Sequence, residues 1–203
     1  MELTEAIARR RMVRDFAPDP IDAGQLDGVL DRARRAPSAG NTAASRFVVL
    51  DRPELVAAYW DTTLPAGPRR DRFRWQGLLR APALVLVATE PRRYLERYAE
   101  PDKAATGRGD SYDRWPVPYW WVDAGAVIQN LLLLVVEAGL GACLFGPFDH
   151  EPAIRERFGL DPELRLAATI AVGHPRPDTP GRSADRPRPP LDEVVIRPGP
   201  AAG

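Results

Sequence analysis

The longest apolar stretch of the chain spans residues 119–146, and its spacing predicts the element around which the rest is organised. Between Trp121 and Leu140 apolar residues fall on nearly every side of a helix, which predicts a helix buried over most of its circumference. Asp123, Gln129, Asn130 and Glu137 interrupt it, so no run reaches the roughly 18 consecutive apolar residues of a membrane span. Gly139 and Gly141 flank Leu140 where a left-handed glycine ends a helix, and residues 142–145 then read as a short buried strand. On the N-terminal side, Leu3, Ala6, Ile7 and Arg10 predict a short first helix. Asp22, paired with Gln25 as in a capping box, opens a second helix with the stripe Leu26, Val29, Leu30 and Ala33. Residues 47–50, 83–88 and 166–172 are apolar runs of strand length, and 83–88 has no polar position at all, which predicts a strand covered on both faces. Helices are predicted over 53–60, 91–99 and 151–158, with another short one carrying Phe73, Trp75, Leu78 and Leu79. Residues 100–118 lack periodicity, the profile of a lid, a binding loop or disorder. Residues 191–196 alternate weakly, as an edge strand or an arm does.

Composition narrows the partners. A chain of 203 residues suits one domain, and a formal net charge of zero removes the broad basic footprint of a nucleic-acid or anionic-membrane binder, so neither partner is expected. Lys103 is the only lysine; the positive charge is otherwise arginine. The single Cys143 lies in an apolar run and reads as a core residue. With His150 and His174 as the only histidines, and no CxxC or HExxH spacing, no metal site is expected. The opening residues are acidic and lack an apolar h-region, so a cytoplasmic location is expected.

Candidate chemistry collects in a few places. Arg9, Arg10, Arg11 and Arg14 cluster where the first helix ends, either as a solvated basic face opposing the helix dipole or as an anion clamp. Pro37, Ser38, Ala39, Gly40 and Asn41 combine a rigid turn, a hydroxyl, a permissive glycine and an amide, which alone read as an ordinary turn. Tyr112, Trp115, Tyr119, Trp120 and Trp121 suit core or interface packing, or the lining for a flat aromatic ligand. His174 has no visible base, nucleophile or metal partner and reads as structural.

Residues 6–16 (AIARRRMVRDF), 34–41 (RRAPSAGN), 123–148 and 173–175 (GHP) with 186–191 (RPRPPL) together resemble, in order and across nearly the whole chain, the FMN-dependent nitroreductase family. The resemblance implies an α+β fold, a three-layer α-β-α sandwich with a mixed, largely antiparallel central sheet. It implies a single domain, 1–203, with 174–203 as a C-terminal arm, and a homodimer with two FMN sites at its interface. It assigns the FMN phosphate to Arg10 and to Arg186 and Arg188 of the arm, with Arg11 and Met12 in the same N-terminal segment. Arg14 becomes the cation beside the flavin N1 and C2 carbonyl, where positive charge favours the reduced form. Pro37, Ser38 and Ala39 belong to the phosphate-and-ribityl loop, Asn41 hydrogen-bonds the flavin, and Gly146 and Pro147 run along the ring edge. Hydride transfer needs orientation more than a side-chain acid, so no catalytic side chain is named.

The activity implied is transfer of hydride from NADH or NADPH through flavin to a nitroaromatic, a quinone or another conjugated acceptor. Two alternatives stand beside it: a flavin-dependent oxidase or dehydrogenase of a biosynthetic intermediate, and a small-molecule binding module that has lost flavin. Met12 stands where the family has serine, Ala43-Ala44-Ser45 where it has glutamine, proline and tryptophan, and the loop before the central helix is short.

Overall fold

The computed structural model of the chain describes residues 1–179, 181 and 185–198. Its elements run α1 (Leu3–Arg9), α2 (Ala23–Ala33), β1 (Ser45–Leu50), α3 (Pro53–Thr63), α4 (Pro68–Asp71), β2 (Ala83–Thr89), α5 (Arg92–Ala99), α6 (Tyr119–Glu137), β3 (Gly141–Phe145), α7 (Glu151–Arg157), β4 (Arg165–Gly173) and α8 (Leu191–Val194). The strands form one sheet in the order β1-β2-β4-β3, each pair antiparallel. Among the described residues the parallel contribution is a single bridge, Met12 to Ala142, which lays the segment after α1 along β3.

All of β2 is buried, and its side chains alternate between two cores. Ala83, Val85 and Val87 meet Leu26, Val29 and Leu30 of α2 and Val127, Leu131 and Val135 of α6. Leu84, Leu86 and Ala88 face the opposite way, onto Tyr59 and Trp60 of α3 and Ile154 of α7. Strand geometry sends successive side chains to opposite faces, so an uninterrupted apolar run is what a strand between two helical layers requires. The result is the α+β three-layer sandwich.

Several local expectations are corrected. α6 buries Ala124, Val127, Leu131, Leu132 and Val135, but Tyr119, Trp121 and Val122 are exposed, so its apolar circumference exceeds what this chain covers. By length and composition it is the one helix among the described residues that passes for a membrane span, with a mean hydropathy of 1.5, and it packs on α2 and the sheet. Only Leu78–Arg80 of the expected helix around Phe73 and Trp75 is helical, as one 3₁₀ turn, and Gln76 there spends its amide on the carbonyls of Arg70 and Phe73. The weak alternation at 191–196 yields the short exposed helix α8 rather than a strand. Of the expected arm, positions 180, 182–184 and 199–203 lie outside the described residues. The capping box is half formed: the Asp22 carboxylate accepts the Gln25 N–H at 2.8 Å, while the Gln25 side chain donates to the Ala138 carbonyl at 2.9 Å. That second bond ties α2 to the end of α6, where Gly139 takes φ 74° and stops the helix.

Leu131, wholly buried between α2 and β2, tests this layering. Leu131→Ala is expected to lower stability by about 2–5 kcal/mol through lost burial and a residual cavity. A loss below about 1 kcal/mol in urea unfolding would contradict the packing described.

Candidate functional site

The parallel bridge brings Arg14 to the C-terminal end of β3. Val13 donates its N–H to the Ala142 carbonyl at 2.8 Å, and Arg14 follows along the strand. There it joins Trp60, Arg69, Phe73, Trp75, Cys143, Gly146, Pro147 and Phe148 in lining a cleft of about 380 Å³. The Arg14 guanidinium donates to the Met12 carbonyl at 3.2 Å and lies 5.1 Å from the centroid of the Trp75 ring. Trp60 stacks on Phe145 with centroids 5.8 Å apart and planes at 18°. The Tyr59 hydroxyl is bonded to Thr169 at 2.8 Å, and burial pushes its pKa up to about 12. Burial likewise raises that of the Cys143 thiol, so both groups enter the cleft protonated.

Gly146 lies under the Phe148 ring, the far end of an exposed side chain that is free to turn aside. A Cβ there would come within 2.7 Å of the Phe148 ring, which folds back over the strand end. Phe148 itself holds φ 41° and is 81% exposed. An aromatic side chain in left-handed backbone, turned to solvent beside a cleft, is the kind of strain that marks functional rims.

The arginine cluster divides. Arg9 pairs with Glu5, and Arg10 is half-buried. Arg11 is bound by Asp178, whose carboxylate also accepts the Arg14 backbone N–H at 2.6 Å and whose side chain is 4% exposed. Met12 points into the protein: its sulfur accepts the Leu144 N–H at 3.3 Å, and the side chain packs against both cores. Arg186 and Arg188 are exposed and do not line the cleft at the end of β3. Asp178 escaped sequence reading because its partners lie 164 and 167 residues away.

The turn at 37–43 sits elsewhere. Pro37 and Ser38 line a second cleft of about 150 Å³ with Arg34, Arg46 and Asp123. It shares no residue with the first. Asn41 is exposed, and Asn41 and Ala43 hold φ 56° and 49° beside Gly40 at 63°. Buried Asp123, in the first turns of α6, holds this backbone by accepting the Ala39 N–H at 2.8 Å and the Tyr94 hydroxyl at 2.7 Å. Ser38 Oγ accepts the Ala43 N–H at 2.9 Å, and Arg97 donates to the Gly40 carbonyl at 2.8 Å. In sequence Asp123 registered only as a break in an apolar helix; its role depends on α5 and the turn arriving beside it. Tyr94, Tyr98, Trp115 and Trp120 form the edge-to-face cluster around it, so these aromatic residues are packing.

Asp123→Ala leaves the Ala39 N–H and the Tyr94 hydroxyl without their acceptor and is expected to cost about 1–3 kcal/mol. Asp123→Asn keeps one oxygen acceptor and should cost less. Equal losses for the two variants in urea unfolding would contradict this assignment.

Residues 7–174 match the model of the nitroreductase family. A 4-nitrobenzoate reductase from Nocardioides sp. is 30% identical over 222 residues, covering 96% of this chain and 90% of the relative. An NADH dehydrogenase from Thermus thermophilus is 28% identical over 210 residues, covering 97% and 96%. Among solved structures, a protein of Exiguobacterium sibiricum described as a nitroreductase, in complex with FMN, superposes with a TM-score of 0.75 at 19% identity, covering 98% of each chain. That likeness establishes the fold.

Proposed function

The chain belongs to the nitroreductase family of oxidoreductases, and on that premise we propose that it is an FMN-dependent enzyme carrying reducing equivalents from NADH or NADPH to a nitroaromatic or other conjugated acceptor. The observation that carries this reading is the cleft at the end of β3, cationic and walled by aromatic rings, with Arg14 held at its side by the bridge to Ala142. The donor set fits FMN: a guanidinium for the ring's electron-rich edge, strand-end backbone at Gly146 and Pro147, and further arginines for a phosphate. Bound FMN would supply the hydride chemistry; the residues hold and orient it. In this assignment Arg14, Gly146 and Pro147 meet the ring, and Arg10, Arg186 and Arg188 take the phosphate. Arg11 is already matched by Asp178 and Met12 is turned inward, so neither adds a strong phosphate contact. The 4-nitrobenzoate reductase among the relatives favours a nitroaromatic acceptor, and the NADH dehydrogenase favours NADH.

The turn carrying Pro37, Ser38, Ala39 and Asn41 enters this scheme from a second copy of the chain. β1, which follows the turn, and β3 are opposite edges of the sheet, three strand spacings apart, or roughly 14 Å at about 4.8 Å each. A homodimer that covers the exposed apolar faces of α6 and α1, with Val122 51% and Leu3 63% exposed, would bring one copy's turn to the other's cleft. Residues 174–203 are assigned as the arm that accompanies this assembly.

The purified protein is expected to carry close to one FMN per chain, and its absorbance is expected to bleach anaerobically with NADH or NADPH. Flavin that neither nucleotide bleaches would refute the reductase reading. Arg10→Ala and Arg186→Ala should each weaken FMN about tenfold or more, since a charge-assisted contact contributes roughly 1.5–3 kcal/mol; unchanged affinity in equilibrium dialysis would remove them from the phosphate site. Val122→Asp should convert a dimer into monomers in sedimentation velocity and lose flavin with it. A dimer that keeps its flavin would rule out the α6 face.

A further inference from the structure

We propose that the cleft at the end of β3 selects acceptors bearing an anionic group on a flat ring, aromatic carboxylates being the type, and that Arg69 of α4 binds the anion. This rests on the reading of the cleft given above and adds the substrate class. Four arginines crowd residues 69–74, the stretch that gives the cleft Arg69 and Phe73, and three of them are already engaged. Arg70 donates to the Leu64 carbonyl at 2.5 Å and pairs with Asp61 at 2.9 Å. Arg72 donates to the Pro68 carbonyl at 3.0 Å, and Arg74 lies over the Trp75 ring at 4.5 Å. Arg69 makes no hydrogen bond or ion pair among the described residues, and it lines the cleft.

The charge of the lining singles out the same cleft. The chain has 28 basic and 28 acidic residues, so a lining drawn at random holds both. Each of four other clefts contains a carboxylate: Asp51, Glu163, Asp123, and Asp15 with Asp178. The cleft at β3 contains none, while Arg14, Arg69 and His150 line it. Its remaining titratable groups, Tyr59 and Cys143, are kept neutral by burial. Arg69 is itself exposed, and an unopposed guanidinium beside the cleft attracts anions and repels cations, while Trp60, Phe73 and Trp75 of the lining offer a flat ring apolar contact. Arg14 is occupied by Met12 and Trp75 and reserved for the ring of the cofactor; Arg69 remains for a second anion.

The test compares 4-nitrobenzoate with its neutral isostere 4-nitrobenzamide, binding each to the purified protein as isolated and following the heat of binding. The carboxylate is expected to bind at least about fivefold more tightly, the size set by a partly solvated charge-assisted pair. In Arg69→Gln that preference should fall towards one while the amide's Kd is unchanged; Arg72→Gln, a neighbour outside the lining, should preserve it. Equal binding of the two ligands by the wild-type protein, or a preference that survives Arg69→Gln, would overturn the proposal. So would loss of flavin from Arg69→Gln, which would assign the arginine to the cofactor. Because binding is read without turnover, a protein that prefers the carboxylate but is not bleached by NADH or NADPH would refute the reductase reading and leave this one standing.

Discussion

Burial of β2 on both faces is the constraint on which the structure depends. A strand flanked by two sheet neighbours and two helical layers has no side for polar groups, and β2 answers with seven buried residues. Its alternation sends one set of side chains to α2 and α6 and the other to α3 and α7, so the sheet cannot slip by one residue without exchanging the two cores. With β2 and β4 at the centre, β1 and β3 become the edges. Each candidate cleft forms at one of those edges: one where the N-terminal segment bridges to β3, the other where the turn at 37–43 leads into β1. Their separation follows from strand order, which is why an assembly of two chains enters the argument at all.

Charge placement says more than charge total. The net charge is zero, and most arginines have an ordinary partner: Glu5 for Arg9, Asp31 for Arg34, Asp102 for Arg97. Against that background the missing carboxylates at the end of β3 are informative. Asp178 sharpens the contrast, because the carboxylate that approaches the arginine cluster most closely is buried on Arg11 and the Arg14 backbone, outside the lining of that cleft. It anchors the start of the C-terminal segment beside the N-terminal one.

What was legible in the sequence is what local periodicity and a family pattern can carry. The run at 83–88 announced a doubly covered strand because no polar residue interrupts it, and Gly139 announced the end of α6 because left-handed backbone favours glycine. The three-layer fold followed from motif order. Less legible was anything decided by distant parts of the chain. The apolar circumference of α6 was visible, but an apolar face does not say whether its cover belongs to the same chain or another, and here Trp121 and Val122 remain uncovered. At 191–196 the weak alternation suits an edge strand or an arm, yet among the described residues no sheet edge pairs with it and a short helix results. Nothing in the sequence sets Arg69 apart from the other arginines; only its neighbours' engagements distinguish it.

Backbone strain draws the same map by an independent route. Among the described residues three non-glycine positions hold positive φ, Asn41, Ala43 and Phe148, and each costs on the order of 1–3 kcal/mol. None lies within the strands or the α-helices; two are in the turn at the second cleft and one is at the rim of the first. Such conformations persist only where their surroundings over-determine them. Asp123, Tyr94 and Arg97 do this for the turn, and the bare backbone of Gly146 leaves room for the Phe148 ring. The turn at the second cleft is therefore shaped by bonds within the chain before any ligand arrives, which lowers the ordering penalty that binding would otherwise carry. The sandwich supplies rigidity at its centre, and the strain it tolerates among the described residues is confined to the two edges where the clefts lie.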